Sequence, residues 1–413
     1  MDSNVVLPTP GARPRLFRVG VLISVWVGVG CVEHGAPPIS TSVRDSAGIR
    51  IVENPPDAVA SAPEWVLSPT PMVRIGALDG EEEYQLHRVR GAVLHQNRIW
   101  VLDGGSSEIR AFDLDGSHFL STGRNGEGPG EFNFPTHLDA LDPDTLLVWD
   151  QSLRRVSYFN SHGTFVRSVT IPSNLLQPTF LSALDEESFL LYSAIVAFPS
   201  TNQVEVTPLS VIRVDPERRT TDTIAEFPHL RVKRVDQPID LQLMIFSPLT
   251  WVDGDRRTFW VGTGEEWEFQ QRDSHGGIVQ IVRWHGNDRR VLSSHVDAYF
   301  ARMVENAETE DRVRQIQQSR EQVPIADQFP THADIVVDRI GRIWLRQYAP
   351  PTEDGPYEWV VFSERGEILA TMRIPRDFRP QEFGGDYVLG VTRGEFDEEY
   401  VVLFEIQQAE IGT

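Results

Sequence analysis

From residue 84 onward the chain alternates short apolar runs with polar turns. RIWVLD (98–103) is followed by EIRAFDLDG (108–116) and SHFLSTG. DTLLVWD (144–150) is followed by RRVSYFNSHG (154–163) and TFVRSV. RIWLRQ (342–347) is followed by EWVVFSERG (358–366) and EILATM. Short runs of aliphatic, β-branched and aromatic residues closed by Asp-Gly, His-Gly or Arg-Gly predict strands joined by tight turns. Each set reads as strand, strand, turn, strand. A second pattern precedes these sets. FPTHLDALDPDTLLVWD (134–150) aligns without a gap on QPTFLSALDEESFLLYS (177–193), and FPTHADIVVDRIGRIWLR (329–346) aligns with one extra residue. YQLHRVRGAVLHQNRIWVLD (84–103), FSPLTWVDGDRRTFWVG (246–262) and FGGDYVLGVTRGEFDEEYVVLFE (383–405) fit the same slot. Repeats of this length carrying several strands each are propeller blades.

The pattern predicts an all-β fold, a six-bladed β-propeller of four-stranded antiparallel blades. The last copy runs out of chain after about three strands, so a strand from residues 64–76 is expected to complete it. Closure of this kind leaves few sheet edges exposed. One stretch breaks the strand pattern. Val296, Tyr299, Phe300, Met303, Val304 and Ala307 recur at helical spacing, with Val313 and Ile316 continuing, and Ser293 or Ser294 is the expected N-cap. A small helical insertion over about 293–328, between blades 4 and 5, follows. It either covers a blade edge or forms a lid on one face.

The first 31 residues differ. Arg13, Arg15 and Arg18 precede the uncharged run VGVLISVWVGVG, which is too short to span a bilayer and has the pattern of a secretory signal. The run ends at Cys31, the only cysteine of the 413 residues. Gly28-Val29-Gly30-Cys31 resembles a bacterial lipobox, with Gly28 where a Leu-like residue is usual. The expected organisation is a signal peptide over 1–30, a lipid-anchored tether over 31–62, in which GIRIVEN (48–54) could make one strand, and the propeller over 63–413. The expected location is the bacterial cell envelope, on its periplasmic or surface side, with Cys31 the lipidation site. No disulfide is available to the mature chain, so packing holds the fold. The net charge of -22 repels nucleic acid phosphates and anionic lipid surfaces. Attachment to a membrane would therefore come from the lipid anchor alone, and the expected state is a monomer.

TGRNGEGPGEF (122–132) tests for nucleotide chemistry. A phosphate-binding loop needs Gly-Lys-Ser/Thr followed by a helix. Here Gly130 is followed by Glu131 and Phe132, Pro129 removes an amide donor, and Glu127 and Glu131 would repel a phosphate. The stretch reads as the turn between two meanders. Asp113-Leu-Asp115-Gly116 begins like a calcium loop, lacks the remaining ligands and reads as a hairpin turn.

GRNGEGPGEFNFP resembles the glycine-proline signature of NHL-type propellers. DSAGIRIVENP (45–55) and GDYVLGVTRGEFDEEYVVLFEI (385–406) resemble the ends of bacterial six-bladed propeller lipoproteins. The resemblance covers roughly residues 40–408 and implies the fold; function has to come from a site. Within the NHL-like group, peptidylamidoglycolate lyases carry a central zinc held by histidines at the starts of inner strands. That resemblance implies His137 and His332 as the corresponding region. The family places its ligand directly after the proline, where this chain has Thr136 and Thr331, and Phe180 aligns with His137.

The candidate site residues come from a repeated His-x-Asp, His137-Leu138-Asp139 and His332-Ala333-Asp334. Positions i and i+2 of a strand share a face, and an Asp can orient an imidazole for metal binding or proton transfer. His87 and Asp386 occupy roughly the same slot in the first and last copies. A channel-mouth cluster of His87, His137, His332 and Asp386 is one reading, holding a ligand, zinc or calcium. The other is a structural element in which His and Asp satisfy inter-blade backbone groups. The expected function is an envelope-anchored propeller that binds a partner protein or small ligand at one face. The alternative is a metal-dependent lyase or hydrolase at the channel mouth.

Overall fold

The structure, a computed structural model, describes residues 40–408 apart from 142–143, 173–174, 185–187, 195–198, 200–202 and 237–238. Its strands gather into antiparallel meanders in chain order and build a β-propeller. Leading into them are β1 (Ser42–Ser46), β2 (Ile49–Glu53), a short helix α1 (Ala58–Ser61), β3 (Glu64–Leu67) and β4 (Val73–Ile75). The first meander is β5 (Val89–His95), β6 (Arg98–Asp103), β7 (Glu108–Asp113) and β8 (His118–Thr122). The next is β9 (Pro135–Leu141), β10 (Thr145–Asp150), β11 (Arg155–Asn160) and β12 (Phe165–Thr170). A longer one follows: β13 (Thr179–Ala183), β14 (Phe189–Ala194), β15 (Val204–Asp215) and β16 (Thr220–Asp236), extended by β17 (Ile239–Leu243). Then come β18 (Trp251–Gly254), β19 (Thr258–Gly262), β20 (Glu268–Asp273) and β21 (Ile278–Arg283). Helices α2 (Ser293–Glu305) and α3 (Glu310–Arg320) separate these from β22 (His332–Val337), β23 (Ile343–Gln347), β24 (Tyr357–Phe362) and β25 (Ile368–Ile374). The chain finishes with β26 (Arg379–Phe383), β27 (Tyr387–Arg393) and β28 (Glu399–Gln407). These last three strands take their outer partner from the other end of the chain, because β4 pairs antiparallel with β28 from Val73↔Leu403 to Ile75↔Val401.

Apolar side chains fill the wedges between neighbouring meanders. Trp100 and Ile109 meet Leu138 and Phe159. Trp149 and Tyr158 meet Phe180 and Leu191, and Leu190 and Val211 meet Phe259 and Val261. Trp260 and Phe269 meet Ile335 and Val360, and Trp344 and Val361 meet Phe383 and Val388. Finally Leu389 and Val401 meet Val89, Ile99 and Phe112, which brings the last meander against the first. Each fully buried large side chain contributes about 1.5–3 kcal/mol, and Trp100, Trp149, Trp260 and Trp344 are all fully buried.

The carboxylate that ends the second strand locks successive meanders. Asp103 accepts from the backbone N–H of Gly105, Ser106 and His87 at 2.8, 3.1 and 3.0 Å. Asp150 repeats this with Leu153, Asn133 and Phe134 at 2.8, 2.7 and 3.0 Å. One side chain thus holds both the turn that follows it and the loop entering its own sheet.

The glycine-rich stretch is a turn. Phe132 donates to Arg124 O, Gly126 donates to Phe132 O, and Gly123, Gly126 and Gly130 all have positive φ. Its carbonyls face a cation: Arg155 donates to Glu127 O, Gly128 O and Glu131 O at 2.9, 3.0 and 2.6 Å. A loop that aims carbonyls at an arginine does not offer a phosphate a cradle of amides. Asp115 likewise folds back onto Ser117.

Within the range read as tether, GIRIVEN supplies the strand β2, which pairs with β1 and runs parallel to β21 as an added strand. One expectation needs correction. The N-cap of α2 is Leu292, whose N–H is accepted by His295 Nδ1 at 3.1 Å, rather than Ser293 or Ser294. Thr309 caps α3 through Arg312 N–H. The helical segment packs Val296 and Tyr299 on Phe246, Phe329 and Tyr348, in the loops that lead into β18 and β22 and out of β23.

Candidate ligand site in the central channel

The first strand of each meander has no ladder partner on its axial side, so its polar backbone groups there need other partners. The amide of Leu94 on β5 donates to Glu382 of β26 at 2.7 Å, and that of Val337 on β22 donates to Asp253 of β18 at 2.7 Å. Ala140 on β9 donates to its own neighbour Asp139 at 2.7 Å. In the first two cases an acid from one inner strand satisfies the next inner strand across a blade boundary. Inter-blade backbone satisfaction is therefore real, but Asp253 and Glu382 perform it.

The C-terminal ends of these strands surround a cavity of about 710 Å³, lined among others by His137, Asp139, Ser182, Asp253, Arg339 and Glu382. Arg339 leaves the β22–β23 turn and reaches two other meanders. Its Nε donates to Glu382 Oε1, its Nη1 donates to Ala140 O at 3.2 Å, and Nη2 lies 3.8 Å from Asp139 Oδ1. Tyr387 also donates its hydroxyl to Glu382 Oε1 at 2.8 Å. Burial pushes Asp253 up to about 7, and Asp334 and Asp139 add to the rise. Burial also raises Asp334 to about 6, against the pull of Arg346 at 3.7 Å. Glu382 is raised by burial despite Arg339. His137 is held below the usual imidazole range by burial, with Asp139 opposing.

The predicted cluster does not assemble. His87 is exposed in the loop before β5, where its side chain packs near Gly105. His332 opens β22, fully buried, with Nδ1 2.8 Å from Thr331 Oγ1. Its Nε2 faces Gly262 so closely that an added Cβ there would lie 2.2 Å away. Burial drives it down to about 4, so the ring is neutral at pH 7. Asp386 is exposed in the β26–β27 turn, at the opposite end of the inner strands from His87 and His332. The inner strand of that meander is β26, so the last sequence copy was aligned one strand too late.

The two His-x-Asp steps are also out of register. His137 lies opposite Trp149, the penultimate residue of β10, whereas His332 lies opposite Gln347, the last residue of β23. Both strands bulge near their start, between Pro135 and His137 and between His332 and Asp334; His137 follows its bulge whereas His332 precedes it, so Asp334 lies opposite Arg346, on the rung that His137 occupies. Of the predicted residues, His137 and Asp139 line the cavity, and Asp334 lies within electrostatic reach of Asp253. Among the described residues no three His, Cys, Asp or Glu side chains converge in a way that could hold a metal ion. Among these side chains the zinc implied by the lyase resemblance finds no ligand set. Cys31 lies outside the described residues.

Asp253, Ser182, Glu382 and Arg339 were not singled out from the sequence. Asp253 had a usable signal, since WVDGD stands in the fourth repeat where HLDAL stands in the second. Arg339 had none, because its partners are remote in the chain.

No family model matches the sequence, and no curated protein matches it. Solved structures do. A member of the duf4221 family from Bacteroides vulgatus superposes with a TM-score of 0.50 at 12% identity, over 83% of this chain and 99% of that one. An exported protein from Bacteroides fragilis gives 0.45 at 11% identity, over 84% and 99%. Regucalcin, a calcium-binding protein from Agrobacterium tumefaciens, gives 0.37 at 9% identity, over 84% and 96%. What this chain has in common with the duf4221 protein is its fold.

Proposed function

We propose that the chain is a six-bladed propeller that serves as an envelope-anchored binding protein and holds a small polar ligand in the channel mouth at the C-terminal ends of its inner strands. One observation carries this reading. A cavity of about 710 Å³, within the usual range for small-molecule sites, is lined by charged groups delivered from separate sheets. The rigid strands beneath them favour a preorganised site. The metal-dependent lyase or hydrolase has no comparable support.

The test is a thermal-shift screen of small cations, anions and neutral polyols. At least one class is expected to raise Tm, and Leu94→Trp, which narrows the mouth, is expected to remove the shift. A shift unaltered in Leu94→Trp would move the site elsewhere.

Anchoring through Cys31 is part of the proposal. Among the described residues no helix is long and apolar enough to cross a membrane. Cys31→Ser is expected to move the protein from the membrane to the soluble fraction, as read by fractionation. Retention in the membrane after signal cleavage would refute the anchor.

A further inference from the structure

Asp139 lies opposite Leu147 on β10, Ser182 opposite Leu190 on β14, and Asp253 opposite Trp260 on β19. These are corresponding rungs of three consecutive meanders, so the three residues form an arc along one side of the channel. Ser182 and Asp139 are also matched without a gap in the sequence repeat. All three line the same cavity.

Two independent features of the arc point to a missing partner. Ser182 is 5% exposed, and its Oγ has no hydrogen-bond partner. Such a buried hydroxyl calls for a donor or acceptor. Among the described residues Asp253 bonds only to the amides of Gly254 and Val337. Among the described residues no arginine or lysine pairs with it. The mouth already holds one cation, since Glu382, Ala140 O and, at 3.8 Å, Asp139 surround the guanidinium of Arg339. Arg256, Arg257 and Arg339 line the cavity with Asp139, Asp253, Asp255, Asp338, Glu364 and Glu382, so its carboxylates outnumber its guanidinium groups.

We infer that the arc Asp139–Ser182–Asp253 binds the primary ammonium group of a small organic cation. An alkylammonium has three N–H donors, and the arc presents three oxygen acceptors on adjacent strands. The aliphatic remainder of such a ligand would lie against Leu138, Leu181 and Val336 of the same cavity. The inference rests on the channel reading above and names its ligand class.

The experiment is isothermal titration of the full-length chain at pH 8 with cadaverine, and in parallel with 1-pentanol and glutarate. Cadaverine is expected to bind one to one, at least roughly tenfold more tightly than either control, the scale of one charge-assisted hydrogen bond. Asp253→Asn keeps a side-chain carbonyl for one of the two amides and is expected to weaken cadaverine by roughly tenfold or more. Ser182→Ala, a smaller change that leaves the strand intact, is expected to weaken it several-fold. Equal or tighter binding of glutarate or pentanol overturns the inference, and so does cadaverine affinity that both variants leave unchanged. Displacement of cadaverine by millimolar Ca²⁺, lost in Asp253→Asn, would assign the arc to a metal and overturn it too. Glutarate binding that Leu94→Trp abolishes would leave the channel reading standing while the cation falls. If no probe binds, the cation falls, and the Leu94→Trp screen decides the channel reading separately.

Discussion

Replacing Ile75 by Asp is expected to open the ring. Ile75 is 1% exposed and packs in the wedge that joins the last meander to the first, beside Val89, Ile99, Phe112, Leu389 and Val401. Its strand is only three residues long, yet it supplies the outer edge of the sheet made by β26, β27 and β28. Loss of the side chain forfeits about 2–3 kcal/mol of burial, and an unpaired carboxylate in that wedge costs several kcal/mol more. The sum, about 5 kcal/mol or more, is comparable with the whole stability of a typical domain, about 5–15 kcal/mol. The expected result is loss of the cooperative urea transition at 25 °C, with near-UV circular dichroism collapsing alongside it. Arg74→Ala on the same strand removes only a stacking contact over Tyr400 and is expected to cost about 1 kcal/mol or less. An Ile75→Asp protein whose urea midpoint stays within about 0.5 M of the parent would show that β4 does not close the ring.

The second large effect is a pH dependence carried by Asp253. Its folded pKa, about 7, lies above the ordinary value of 3.8. The folded state therefore binds more protons than the unfolded state across the window between them. Its contribution is fully present below about pH 4 and is lost as pH rises through 7. From pH 5 to pH 8 the parent protein should lose about 2–3 kcal/mol through this group. Asp253→Asn removes that slope. It also leaves one of the amides of Gly254 and Val337 without its acceptor, at about 1–3 kcal/mol. The variant should thus be the less stable protein at pH 5, and the gap should close or invert by pH 8. Urea melts at pH 5, 6, 7 and 8 measure this directly. Parallel profiles for the two proteins would mean that Asp253 does not titrate in the channel.

Much of the architecture was legible in local pattern. The runs RIWVLD, DTLLVWD and RIWLRQ are second strands with their apolar side chains buried. The turn at 122–132 was readable because glycine at positive φ and proline without an amide both restrict what a backbone can do. The helical segment declared itself by a change of period. The candidate site was far less legible. The motif His-x-Asp suggested equivalence between His137 and His332, and register cancelled it: both strands bulge, but His137 follows its bulge and His332 precedes it, and a shift of register changes the opposite partner without changing composition. The last repeat failed for a similar reason: Asp386 looked like a strand position and is a turn, while Glu382, four residues earlier, faces the channel.

The sequence by itself determined most of the strands of the first five meanders, which of their side chains are buried between sheets and where the turns at 113–116 and 122–132 fall. Those properties depend on alternation, turn chemistry and size, all of which act over a few residues. Only the tertiary structure decided that Glu382 serves Leu94 and that Asp253 serves Val337. It alone decided that Arg339 crosses from the β22–β23 turn to Ala140. These pairs join residues 84 to 288 positions apart. They exist because unpaired inner-strand amides meet at one axis once the ring closes, and an unsatisfied buried amide costs enough free energy to determine which distant acid must stand beside it.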